Sequence, residues 1–115
     1  MIQTAGTPRK NRPWIIGPNA PDNAVVLNAK HLTNPYNRIE AGDPSTHIDR
    51  VIHFLCEANA DKVKRLVDKG RAAILSNRPV VVVCLFGKDR SRAIARIIGD
   101  SFDPGEVYYV HRESP

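Results

Sequence analysis

Residues Val80-Val81-Val82-Val83-Cys84-Leu85-Phe86 are the longest apolar run in this chain, and together with the segment after them they constrain the fold most. Four consecutive β-branched residues favour a strand, and the lack of polar alternation predicts one covered on both faces. Gly87-Lys88-Asp89-Arg90-Ser91 then turns the chain, and Ser91 to Ile98 has the spacing of a helix. A buried strand that passes through a tight loop into a helix predicts parallel pairing with right-handed crossovers. In such sheets ligands sit beyond the carboxyl ends of the strands, which is where Cys84 falls.

The remaining segments fit the same plan. Ala24-Val25-Val26-Leu27-Asn28 reads as a first parallel strand, followed by a polar loop to Gly42. Asp43-Pro44-Ser45 reads as a helix start, with Asp43 as N-cap and proline in the first turn. Ile48, Val51, Ile52 and Leu55 recur at helical spacing, and Cys56 beside them reads as a core or half-buried thiol. Val63, Leu66, Val67 and Ile74 continue or restart that helix, with an end near Gly70 or Asn77. Asp103-Pro104-Gly105 predicts a turn, and Val107 to Val110 a last strand. Four prolines within residues 1–22 predict an extended arm, carrying at most a short edge strand and pinned by Trp14. The fold class is therefore α/β: one three-layer domain over residues 23–115, with a small, mainly parallel sheet and an anion-binding loop at its central strand.

A chain of 115 residues matches the commonest domain size, and its 42% hydrophobic and 25% charged content is that of an ordinary globular protein. No apolar run is long enough to span a bilayer, and Met1 to Lys10 lacks the apolar stretch of a secretory leader. Two separated cysteines, Cys56 and Cys84, without a Cys/His cluster read as reduced thiols in a cytoplasmic setting, with no metal site and no cofactor. The net charge of +5 fits an anionic partner, a phosphorylated small molecule or RNA. A merely solvated basic surface accounts for it equally well. The arm could meet a protein partner, and self-association stays open.

The loop from Cys84 to Ser91 carries the chemistry. Its backbone N–H groups, a helix N-terminus and the Arg90 fork would converge on one point beside a thiol, a suitable cradle for phosphate. Gly87 permits the tight curl, and Leu85, Phe86, Lys88 and Asp89 complete the candidate ligand-binding loop. Lys88, Arg90 and the helix opening would also lower the Cys84 pKa. Ser91 reads first as the helix cap and second as a partner of the thiol. Arg96 reads as facing solvent. His31, His47, His53 and His111 read as surface or hydrogen-bonded side chains, with Asp49 and His53 as an i,i+4 pair.

Two families resemble this loop. Cys84, Gly87, Arg90 and Ser91 match the Cys-x-x-Gly-x-x-Arg-Ser loop of the protein-tyrosine phosphatases, with Val83 where that family has histidine. That resemblance implies a phosphocysteine mechanism, Arg90 holding the transferred group and an upstream aspartate as general acid. Asp43 is the candidate for that acid, although its context favours capping.

Leu27 to Glu113 resembles the C-terminal domain of the RapZ-type RNase adapter proteins more broadly. Asn28-Ala29-Lys30-His31-Leu32-Thr33-Asn34-Pro35-Tyr36, Ala41-Gly42-Asp43, Val83 to Ser91 and His111-Arg112-Glu113 match that family's motifs in order. Leu85-Phe86 stand where the family has Thr-Gly, and Asp89 where it has histidine. This resemblance implies a binding or adapter module for an amino-sugar phosphate, a sugar nucleotide or small RNA, with Asn34 among the ligand-binding residues. Phe86 in place of glycine would add a ring on which a nucleotide could stack.

Overall fold

The computed structural model describes residues 2–7, 24–39, 42–85, 89–102 and 109–112. Strands β1 (Ile2–Thr7), β2 (Val25–Asn28), β3 (Val80–Leu85) and β4 (Tyr109–Arg112) form a four-stranded sheet in the order β2-β3-β1-β4. All three pairings are parallel. Between β2 and β3 run a 3₁₀ turn (Pro44–Thr46), helix α1 (His47–Ala58) and helix α2 (Ala60–Leu75), and helix α3 (Arg90–Gly99) comes after β3. The chain is thus an α/β protein with a small parallel sheet. Among the described residues, no helix is long and apolar enough to cross a membrane.

β3 organises the core. Val80, Val81 and Val82 are fully buried and Val83 nearly so, as a run without polar alternation predicts. Alternation along the strand sends Val80 and Val82 into one cluster with Leu27, Val51, Leu55, Val67, Ile94 and Ile98, which gathers the helices on that face. Val81 and Val83 form a second cluster with Ala24. The third layer expected from the sequence lies outside the described residues.

The expectation of an arm over residues 1–22 does not hold at its start. Ile2–Thr7 pairs in register with β3, from Ile2 opposite Val80 to Thr7 opposite Leu85, and pairs on its other side with β4. Ile-Gln-Thr-Ala-Gly-Thr contains a single large apolar residue, so its strand comes from distant partners and not from its own pattern. Residues 8–22, Trp14 included, lie outside the described residues, as does the Asp103-Pro104-Gly105 turn. Of the predicted last strand, Val107 to Val110, the first two residues lie outside the described ones, and β4 holds Tyr109 and Val110 and continues to Arg112.

Helix boundaries obey local chemistry. Asp43 caps the 3₁₀ turn instead of α1, its Oδ1 accepting from the Ser45 N–H at 2.9 Å. Asn59 breaks α1 from α2 with an extended φ of −138°. α2 passes straight through Gly70, where a Cβ would overlap Ile98 Cδ1 and come within 3.2 Å of Leu27 Cδ1. Gly70 is therefore a close-packing position and not a helix end. The end comes at Asn77, left-handed at φ 59°, with Asn77 N–H donating to Ile74 O and Arg78 N–H to Ala73 O. This is the paired capping that an asparagine in that conformation allows.

Three further expectations are corrected. Cys56 is exposed, because the buried stripe of α1 runs through Val51 and Leu55 and position 56 turns away from it. Asp49 does not pair with His53. It meets Arg96 of α3 at 2.8 Å, while His53 meets Glu57 at 3.0 Å. Arg96 is accordingly tied to α1, in a half-exposed pair that adds little stability.

Candidate functional site

β2 and β3 point the same way, so their carboxyl ends open on one edge of the sheet, where the segment after β2 and the start of α3 meet. The segment after β2 is fixed by its own short polar residues. Asn28 Oδ1 accepts from the Lys30 N–H at 3.0 Å, and Ala29 N–H continues the ladder to Val83 O at 2.7 Å. Asn34 Oδ1 accepts from the Tyr36 N–H at 3.0 Å, and Arg38 N–H closes the next turn on Pro35 O at 2.9 Å. Thr33 N–H donates to Asn59 Oδ1 at 2.8 Å, which pins the segment to the α1–α2 break. Asn34, expected to touch ligand, thus uses its side-chain oxygen to shape the turn that presents Tyr36.

Arg90 is the first residue of α3 and is only 8% exposed. Its Nη1 donates to Lys30 O at 2.9 Å and to Leu32 O at 3.1 Å. One nitrogen of the guanidinium therefore clamps the segment after β2 to the helix beyond the Cys84 loop. Among the described residues, no carboxylate lies within ion-pair distance of this buried cation. Ser91 is fully buried in the first turn of α3 and is not its cap; Asp89 holds that position without a side-chain capping bond. The Asp89 carboxylate instead meets His47 Nε2 at 3.0 Å, joining the starts of α1 and α3. Cys84 and Leu85 close β3, so the strand–loop–helix order stands. Phe86, Gly87 and Lys88 lie outside the described residues, and with them the curl of the loop.

Asp43 is solvent-exposed, and its backbone bond from Ser45 holds its carboxyl below the usual carboxylate range, with a smaller contribution from Arg50. A general acid at neutral pH needs the opposite shift. In this structure the Asp43 side chain serves as the cap of the 3₁₀ turn, the role its context favours. Nearby, Arg50 donates through Nη1 to Thr46 Oγ1 and through Nη2 to Asp43 O at 3.3 Å. Its guanidinium lies against Gly42, where a Cβ would stand 2.8 Å from Nη1. Its Nε is buried without a partner among the described residues.

These groups surround a cleft of about 460 Å³, lined by Pro35, Tyr36, Asn37, Ile39, Gly42, Pro44, His47, Arg50 and Asp89. Of this set, only Asp89 was expected in the site from the sequence. Arg50 carried a findable signal: it lies one helical turn after Thr46, just beyond the Asp43-Pro44-Ser45 start. The His47–Asp89 contact spans 42 positions and left no local trace. No protein-family model, curated protein or solved structure matches this chain, so the reading of the site rests on its own residues.

Proposed function

We propose that this protein is a binding or adapter module, similar to the C-terminal domain of the RapZ-type RNase adapters. In this reading it recognises a phosphate-bearing ligand (a sugar phosphate, a nucleotide or RNA) through Cys84 to Ser91. A third layer covers Val81 and Val83, and the loop cradles the phosphate with its N–H groups.

The observation that carries the proposal is the Arg90 cation, 8% exposed and held on two carbonyl oxygens, with no carboxylate in reach among the described residues. A buried charge without a counter-ion is costly, and an arriving phosphate supplies one. The cation sits at the start of a helix directly after the loop, where helix dipole and guanidinium act on an anion in the same sense.

Calorimetric titration with inorganic phosphate, a hexose phosphate, a nucleoside diphosphate and a short RNA tests this reading. Saturable binding of at least one of them, weakened in Lys88→Gln, is the expected result. Absence of binding by all of them at millimolar concentration rejects it. The alternative reading is a cysteine phosphatase with Asp43 as its candidate acid. It predicts turnover of an aryl phosphate by the wild type and none by Cys84→Ser.

A further inference from the structure

We propose that the cleft beside α1 is a binding site in its own right, taking a small organic monocarboxylate on the Arg50 guanidinium. This site is independent of the phosphate reading of the Cys84 loop and uses only described residues. Arg50 is the central observation. Its Nη1 donates to Thr46 Oγ1 and its Nη2 to Asp43 O, both neutral oxygens. Each of these nitrogens carries a second N–H, so the fork that grips a carboxylate is held in place without being used up. Among the described residues no carboxylate lies within ion-pair distance of it. The Asp43 carboxylate accepts from Ser45 instead, and Arg50 is the smallest of the influences on it. Arg50 Nε is buried without a partner, which makes this cation costly to hold and increases the gain when an anion arrives.

The backbone around the cleft supports that placement. At Gly42 a Cβ would stand 2.8 Å from Nη1 and 3.0 Å from Cζ, so the missing side chain makes room for the guanidinium. Helices α1 and α3 both begin here: His47 is the first residue of α1, and Asp89 directly precedes α3. Two positive dipole ends therefore act on the cleft in the same sense as Arg50. The cleft volume, about 460 Å³, falls in the range of about 300–1,000 Å³ typical of small-ligand sites.

The charges lining the cleft select the kind of anion. Arg50 is the single arginine or lysine among the described lining residues, and the Asp89 carboxylate shares the lining with it. His47 Nε2 stands 3.0 Å from that carboxylate and is committed to it. A dianion such as a phosphate ester would set one charge on Arg50 and leave the second facing Asp89. A monocarboxylate matches the one cation. The other walls suit a short organic body that is apolar with a polar edge. Pro35, Ile39 and Pro44 give apolar contact, while the Asn37 amide and the Tyr36 phenol can each donate or accept a hydrogen bond.

The test is a chemical-shift titration of the ¹⁵N-labelled protein with benzoate, acetate, benzamide and inorganic phosphate, read at the Gly42 and His47 amides and at Arg50 Nε–H. Benzoate should give saturable shifts there and bind more tightly than acetate, whereas benzamide, the same body without the charge, should not saturate. Benzoate affinity should fall about tenfold or more in Arg50→Gln, the loss expected for a charge-assisted pair. It should also fall in Gly42→Ala, whose Cβ displaces the guanidinium, and stay unchanged in Lys88→Gln. A folded Arg50→Gln with wild-type affinity, benzamide as strong as benzoate, or phosphate stronger than benzoate at these resonances overturns the inference. Absence of saturable shifts with both carboxylates at tens of millimolar overturns it too. If Arg50→Gln does not fold, Gly42→Ala decides, and wild-type affinity in that variant overturns the inference. Phosphate shifts at the turn between β3 and α3 report on the loop reading alone, so either site can fail without the other.

Discussion

Replacing Arg90 with alanine separates its two roles, because the clamp on Lys30 O and Leu32 O is present without ligand. Hydrogen bonds from a charged donor contribute about 1.5–3 kcal/mol each, and here two acceptors share one nitrogen. Removing the guanidinium also relieves the cost of burying it, so a net loss of about 2–3 kcal/mol is the reasoned value. For a chain of 115 residues, an unfolding entropy of about 2.1 cal/mol/K per residue gives roughly 0.24 kcal/mol/K. The melting temperature of Arg90→Ala, monitored by circular dichroism, should then fall by about 8–12 °C in buffer free of phosphate. Arg90→Lys should fall between the two proteins, since its shorter side chain brings an ammonium less fully to the two carbonyls that Nη1 reaches. A melting point within about 2 °C of wild type for Arg90→Ala would mean that the two carbonyls are not held, and the site geometry would be wrong.

Three further substitutions probe the frame of the site. Asn59→Ala deprives the Thr33 N–H of its acceptor at 2.8 Å and should cost about 1–2 kcal/mol, with the Thr33 amide exchanging faster; unchanged exchange contradicts the anchor. Gly70→Ala brings a Cβ within 2.9 Å of Ile98 Cγ1 in a fully buried position. Overpacking of about 1–3 kcal/mol there outweighs a helix-propensity gain of about 0.5–1 kcal/mol, and adding Ile98→Val should recover part of the loss in urea unfolding. Asp43 has a depressed folded pKa, so its stabilisation is present above the ordinary carboxylate range and is lost as pH falls through the folded value. Asp43→Ala should therefore be less stable than wild type at pH 7, with the gap closing in strong acid; a gap that persists there would sever the link to its charge.

How much was legible in the sequence depends on how local each cause is. Four consecutive valines identified β3, and Val51 with Leu55 set the buried face of α1, because those signals need only the chain itself. Asn77 ended α2 for a reason that its own backbone contains. β1 was hidden because its partners begin nearly eighty residues on, at Val80, and no apolar pattern announces it. Gly70 looked like a helix end because glycine signals that locally, whereas the cause is contact with Ile98 and Leu27. Arg90 stood out in the sequence, but its use as a clamp was illegible: its acceptors are backbone carbonyls, which every residue has and no side-chain motif marks. Asp49 likewise chose Arg96 across a helix interface over the nearer His53.

The functional reading stands or falls on whether the turn between β3 and α3 holds an anion. Chemical-shift titration of the uniformly ¹⁵N-labelled protein with inorganic phosphate, at constant pH and ionic strength, decides this. Saturable shifts should concentrate in the amides of Gly87 to Ser91, with smaller ones at Leu32 and Thr33 across the Arg90 clamp. Shifts that never saturate, or that gather on the lysines and arginines of α2 while the turn stays still, would contradict it.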